Sequence, residues 1–75
     1  MAGKGRDIGQ VILIDHSGKP VVWPVKKSGN NDLEHLSEIF ETAIDMCGYE
    51  LAMGGTLKLF DSHGNLLREQ RGRAS

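Results

Sequence analysis

The 75-residue chain is 39% hydrophobic and carries nine Lys and Arg against ten Asp and Glu, for a net charge of −1. This length suits one hydrophobic core, so we predict a single domain over residues 1–75. The near-neutral balance argues against a strongly basic nucleic-acid binder. A lone cysteine, Cys47, cannot form an internal disulfide, and no apolar run approaches membrane-span length, so we expect a cytoplasmic protein with no membrane contact.

The first predicted element is a β-hairpin. Residues 8–14 and 21–25 are apolar and β-branched, which is typical of strands, and the sequence DHSGK separates them. Asp15 suits the first position of a type I turn, and Gly18 suits the positive-φ position that closes it.

Residues 31–47 form the one long segment with a helical period. Apolar residues recur there at steps of three and four, which predicts a helix with one buried face. Asn31 can cap the first turn, Glu34 has the capping-box spacing, and Gly48 is expected to end the helix in a left-handed conformation. Cys47 lies on the apolar face, where a small buried hydrophobe is favoured over a nucleophile.

A second hairpin follows the helix. Strands are predicted at residues 56–60 and 66–70, joined by DSHGN, so Asp61 and Gly64 repeat the spacing of the first turn. We favour convergence on a common turn over duplication. Gly54 and Gly55 are interpreted as a flexible entry into the third strand.

The predicted fold is α+β, a ββαββ arrangement in which a single helix packs on a four-stranded antiparallel sheet. Pro20 and Pro24 remove backbone hydrogen-bond donors from the second strand, and charged side chains in the fourth strand discourage pairing with a further strand. Both strands are therefore expected at the edges of the sheet. This gives the order 2-1-3-4. The alternative is a β-grasp-like order, 2-1-4-3, with the first and fourth strands parallel. Residues 7–70 are the expected ordered core, with flexible tails at 1–6 and 71–75.

No catalytic, cofactor or metal site is predicted, so we expect no enzymatic activity. The turns that carry His16 and His63 should lie at opposite ends of the sheet, which separates the histidines and aspartates that a metal or a catalytic triad would need together.

Charge is distributed unevenly, and this predicts a binding surface. Residues 31–50 contain six acids and no Lys or Arg, and the rest of the chain has nine bases against four acids. Glu34, Glu38, Glu41 and Asp45 recur at helical steps and form an acidic face that could dock on a basic partner surface by electrostatic steering. A solvated face without a partner is the plainer interpretation.

The sheet face turned away from the helix is the second candidate surface. If Ile12 and Ile14 point toward the helix, Val11 and Leu13 point away, and Trp23 and Phe60 can share their surface. Apolar residues on an uncovered face usually indicate association. We therefore expect a homodimer through the sheet, or a partner protein there.

The predicted function is a small protein-interaction module, inhibitor-like or adaptor-like, whose partner the sequence does not identify. The alternative is nucleic-acid binding through basic residues near the last hairpin and tail. These residues are Lys26, Lys27, Lys58, Arg68, Arg71 and Arg73. Few aromatic residues are available for base stacking, which weighs against this alternative.

Overall fold

The computed structural model of the protein describes residues 7–27, 29 and 31–72. In chain order the elements are β1 (Asp7–Ile14), β2 (Pro20–Lys26), α1 (Asp32–Met46), α2 (Gly48–Ala52), β3 (Thr56–Asp61) and β4 (Leu66–Arg71). The four strands form one antiparallel sheet in the order β2-β1-β3-β4. The predicted ββαββ fold and strand order are confirmed, and the β-grasp-like alternative is wrong.

Both hairpin turns have the same hydrogen-bonded geometry. A side-chain oxygen of Asp15 accepts the N–H groups of Ser17 and Lys19, each at 2.9 Å. Asp61 accepts two N–H groups at the same offsets, also at 2.9 Å. Gly18 and Gly64 have φ values of 90° and 85°, the left-handed region that favours glycine. The Asp-x-x-Gly spacing therefore predicted both turns correctly.

Helix α1 begins as predicted and ends differently. The side chain of Asn31 accepts the N–H groups of Leu33 and Glu34, at 2.9 and 3.2 Å, which satisfies two unpaired donors of the first turn. Gly48 was predicted to be left-handed, and this is wrong, because it begins the short helix α2 instead. Gly54, just beyond α2, has a positive φ of 105° instead.

The core lies between α1 and one face of the sheet. Phe40 and Leu36 of α1 are 0% and 2% exposed and pack with apolar side chains of β1 and β3, while Leu51 of α2 joins the same cluster. Apolar side chains at this interface supply most of the stabilisation that a domain of this size can gain.

Strand β4 extends further than expected. Arg71 is still within the strand, and the Gly72 N–H donates to the Gly55 carbonyl oxygen at 2.8 Å, where a flexible tail from residue 71 was expected. Gly55 is buried and its amide donates to the carbonyl of Glu50, so it is a packed position and not a flexible entry to β3. The expected tails at 1–6 and 73–75 lie outside the described residues.

Candidate functional site

The acidic face predicted on α1 is present as a continuous exposed stripe. At 3.6 residues per turn, its four carboxylates fall within an arc of about 60°, opposite the side of Leu36 and Phe40. All four are exposed. We call this surface the acidic stripe, and it consists of Glu34, Glu38, Glu41 and Asp45.

One carboxylate of the acidic stripe forms a hydrogen bond with a side chain of the sheet. Glu41 Oε2 accepts a hydrogen bond from Arg68 Nη1 at 2.9 Å, and the Arg68 guanidinium carbon lies 4.8 Å from the centroid of the Phe40 ring. Arg68 thus bridges β4 to the helix over the edge of the core. Within the described part of the chain, Glu34, Glu38 and Asp45 have no ion-pair partner.

The residues predicted for sheet-face association are mostly on the other side of the sheet, and this is a correction. Val11 and Leu13 are 1% and 6% exposed because they point into the core under α1. Trp23 lies opposite Val11 in the β1–β2 register, so it shares the helix side. Only Phe60, the neighbour of buried Leu59, is on the outer face.

The outer sheet face nevertheless carries apolar side chains among its polar ones, and a different set of residues supplies them. Both described helices pack on the opposite face, and alternation along the strands turns the neighbours of the core residues outward. Val22 and Leu66 are 49% and 50% exposed there, and the others are half-buried. We call this surface the outer apolar face, and it consists of Ile12, Ile14, Val22, Phe60 and Leu66.

Trp23 lines a shallow apolar groove between β2 and α1. The groove has a volume of about 340 Å³ and is lined by Val11, Trp23, Ile39, Thr42, Ala43, Met46 and Cys47. Burial, and then the nearby Glu50 charge, raise the pKa of the Cys47 thiol above its ordinary value. The thiol is therefore less ionised than a free cysteine, as suits a packing residue more than a nucleophile.

The five described basic residues of the nucleic-acid alternative do not form one patch. Lys26 contacts Asp7 at 3.0 Å and Lys27 contacts Asp32 at 3.3 Å, at one end of edge strand β2. Arg71 lies at the opposite end of the other edge strand.

The remaining basic residues are divided between the two sides of the sheet. Arg68 contacts α1, whereas Lys58 is on the outer face, opposite Glu69 in the register. Arg73 lies outside the described residues. Phosphate contacts along one nucleic-acid strand would need these cations on a common surface.

The turn residues are separated as the sequence predicted. Ile14 pairs with Thr56 and Gly9 with Asp61, so the turn of His16 and the turn of His63 lie at opposite ends of the sheet. His16 Nδ1 lies 2.9 Å from a carboxylate oxygen of Glu50, whose hydrogen bond and charge raise the pKa of His16. In residues 7–27, 29 and 31–72, no three His, Cys, Asp or Glu side chains are grouped so that they could hold a metal ion.

Comparison with known protein families, with curated proteins and with solved structures finds no match to this chain. Among the described helices, none has the length and apolar character needed to cross a membrane.

Proposed function

We propose that this protein is a small, non-enzymatic, cytoplasmic interaction module. It docks on a basic surface of a partner protein through the acidic stripe and self-associates through its sheet. The observation that carries the proposal is the arrangement of the carboxylates, which converge on one exposed arc of α1 and have only Arg68 as a cationic contact among the described residues.

Electrostatic repulsion supports a binding role for the stripe. Like charges at helical steps of three and four destabilise a helix by about 0.2–0.5 kcal/mol per pair, and a partner's Lys or Arg relieves that cost on binding. Glu34, Glu38 and Asp45 would make exposed ion pairs, each contributing about 0.2–1 kcal/mol. Such a surface gives fast, salt-sensitive association more than high affinity.

The outer apolar face supports self-association. Ile12 and Ile14 belong to central strand β1, and no described helix covers them. Half-buried aliphatic side chains on an uncovered sheet face are typical of a surface that another molecule covers.

The test of the acidic stripe uses a lysine-rich peptide as the probe, titrated into isotope-labelled protein at low and high salt. In nuclear magnetic resonance spectra we expect the changes in amide chemical shift to be concentrated on α1. We also expect binding to weaken as the salt concentration is raised. Glu38→Gln combined with Asp45→Asn should weaken binding about 3- to 10-fold, because two exposed ion pairs are lost, and it leaves the Glu41–Arg68 contact in place.

The matched control is Asp7→Asn combined with Glu50→Gln, which removes the same charge away from the stripe. Equal weakening by both variants would mean that net charge alone attracts the peptide, which would overturn a specific role for the stripe. Shift changes confined to the basic residues on titration with duplex DNA would support the nucleic-acid alternative instead.

A further inference from the structure

The two edges of the sheet differ in their capacity to pair with another strand. The Asp15 N–H donates to the Lys19 carbonyl oxygen at 3.0 Å, which makes residues 15 and 19 a hydrogen-bonded pair. Because such pairs alternate along an antiparallel ladder, the backbone groups of Pro20, Val22 and Pro24 point away from β1. Both prolines lack an N–H. Over residues 20–24 the outer edge of β2 therefore offers only the Val22 donor, so this stretch resists strand addition.

Strand β4 has no proline, so none of its backbone donors is missing. The Gly72 N–H donates to the Gly55 carbonyl oxygen, so the same alternation directs the backbone groups of Gln70 and Arg68 toward β3. The backbone groups of Glu69 and Arg71 point away from β3, toward the open edge of the sheet. Neither is a proline, every side chain of β4 is exposed, and no described strand lies beyond it. This edge presents complete donor and acceptor pairs.

We propose that β4 pairs antiparallel with β4 of a second copy of this chain, with the two Gln70 residues on the two-fold axis. The inference rests on the self-association part of the proposed function, and it adds a contact at the β4 edge to the contact through the outer apolar face. In this register Glu69 lies opposite Arg71 of the second copy, and Arg71 lies opposite Glu69 of the second copy. Each pair is a hydrogen-bonded one, so the two pairs supply four backbone hydrogen bonds.

Charge complementarity selects this register over its neighbours. Pairing centred on Glu69 sets two carboxylates directly opposite, and pairing centred on Arg71 or on Arg68 sets two guanidinium groups opposite. Like charges at such positions destabilise a strand pair, and opposite charges stabilise it. Within one chain Arg71 Nε lies 3.6 Å from Glu69 Oε2, so both side chains are already on the outer face where the second copy's charges would meet them. A charged edge also discourages pairing with unrelated strands.

The test exploits the symmetry of the two pairs. Glu69→Arg places Arg opposite Arg twice, and Arg71→Glu places Glu opposite Glu twice, so each variant should weaken dimerisation about 10- to 100-fold in sedimentation equilibrium. An equimolar mixture of the two variants restores both opposite-charge pairs and should dimerise about as well as the wild type. The double variant, Glu69→Arg with Arg71→Glu, should do the same by itself. Lys19→Glu, with the same charge change as Arg71→Glu but next to the opposite edge strand β2, should leave dimerisation unchanged.

Hydrogen exchange locates the interface independently of charge. The amides of Glu69 and Arg71 should exchange more slowly as protein concentration rises, while the Val22 amide on the β2 edge should not change. Dimerisation insensitive to both reversals, with unprotected Glu69 and Arg71 amides, would overturn the β4 interface and leave self-association through another surface intact. A chain that stays monomeric at all concentrations would overturn the β4 interface and the self-association part of the proposed function together. The acidic stripe is tested separately with the lysine-rich peptide.

Discussion

Replacing Gly9 with alanine tests how closely the backbone of β3 and the helix side chain Leu36 approach β1. Gly9 lies on the helix side of central strand β1, and a Cβ atom there would clash with the Phe60 carbonyl oxygen and lie 2.9 Å from Leu36 Cδ2. Leu36 can move slightly by changing its rotamer. The Phe60 carbonyl is backbone of β3, so relieving that contact means displacing part of the sheet.

The magnitude follows from two opposing effects. Alanine is intrinsically favoured over glycine within a strand by about 0.5–1 kcal/mol. Overpacking of this kind typically costs about 1–3 kcal/mol, so the net effect of Gly9→Ala should be a loss of unfolding free energy. With total stability of about 0.05–0.15 kcal/mol per residue for a domain, such a loss is a large share of the whole.

The assay is urea unfolding, followed by far-ultraviolet circular dichroism and by the fluorescence of Trp23. With a slope of about 1 kcal/mol per molar urea for a small protein, the midpoint of Gly9→Ala should fall by about 1–2 M. The matched control is Gly48→Ala in α2, where a Cβ would meet no atom within 4 Å, and where we expect stabilisation of up to about 1 kcal/mol. A Gly9→Ala variant as stable as the wild type would refute the close approach of the Phe60 carbonyl of β3 to Gly9.

Three further outcomes follow from single side chains. Val11→Thr should cost about 1–3 kcal/mol in urea unfolding, since it buries a hydroxyl in the core, whereas Ile12→Thr on the outer face should cost less; the reverse ranking would contradict the assigned faces. The hydrogen bond from the Asn65 N–H is the main cause that lowers the pKa of Asp61 in the folded protein. Ionised Asp61 therefore stabilises the folded state at pH above the ordinary carboxyl pKa of 3.8, and this stabilisation should be lost as pH falls through the lower folded pKa. Asp61→Asn should flatten that acid-side decline in thermal melts, and an unchanged pH profile would count against the turn geometry. His16 should titrate above its ordinary pKa of 6.5 because Glu50 stabilises the protonated ring; its contribution to stability is complete below 6.5 and is lost as pH rises through the folded value. In the Glu50→Gln variant, the His16 pKa measured by nuclear magnetic resonance titration should fall back toward 6.5.

Local chemistry explains why much of the fold was predictable from sequence. The two Asp-x-x-Gly turns, the Asn31 cap and the edge position of β2 depend on neighbouring residues, or on the missing proline donors, and these are visible in the sequence. The close packing at Gly9 and Gly72 was not predictable. A Cβ at Gly72 would clash with the Leu51 carbonyl oxygen, and that close approach depends on how α2 packs against the sheet.

The inward and outward faces of β1 were assigned the wrong way round because both sets of its side chains are apolar. A signal did exist in β2. If the first turn pairs residue 15 with residue 19, then Val21, Trp23 and Val25 share a face with Leu13, Val11 and Gly9. The other face of β2 carries Pro20, Pro24 and Lys26, so the more apolar odd-numbered face belongs against the helix. Combining turn geometry with the pattern of the partner strand would have identified the outer apolar face.

The acidic stripe and the β4 interface reinforce each other if both proposals hold. A two-fold axis perpendicular to the sheet keeps both α1 helices on the same side. Because α1 lies over β1 and β3, the two helices would be about four strand spacings apart, or roughly 19 Å, which exceeds the helix diameter of about 10–12 Å. The dimer would thus present two acidic stripes side by side without a clash. A ligand with two lysine-rich segments joined by a flexible linker should bind more tightly than a single segment, and Glu69→Arg should remove that advantage while leaving single-segment affinity unchanged. An advantage that persists in this variant would separate partner binding from the β4 interface.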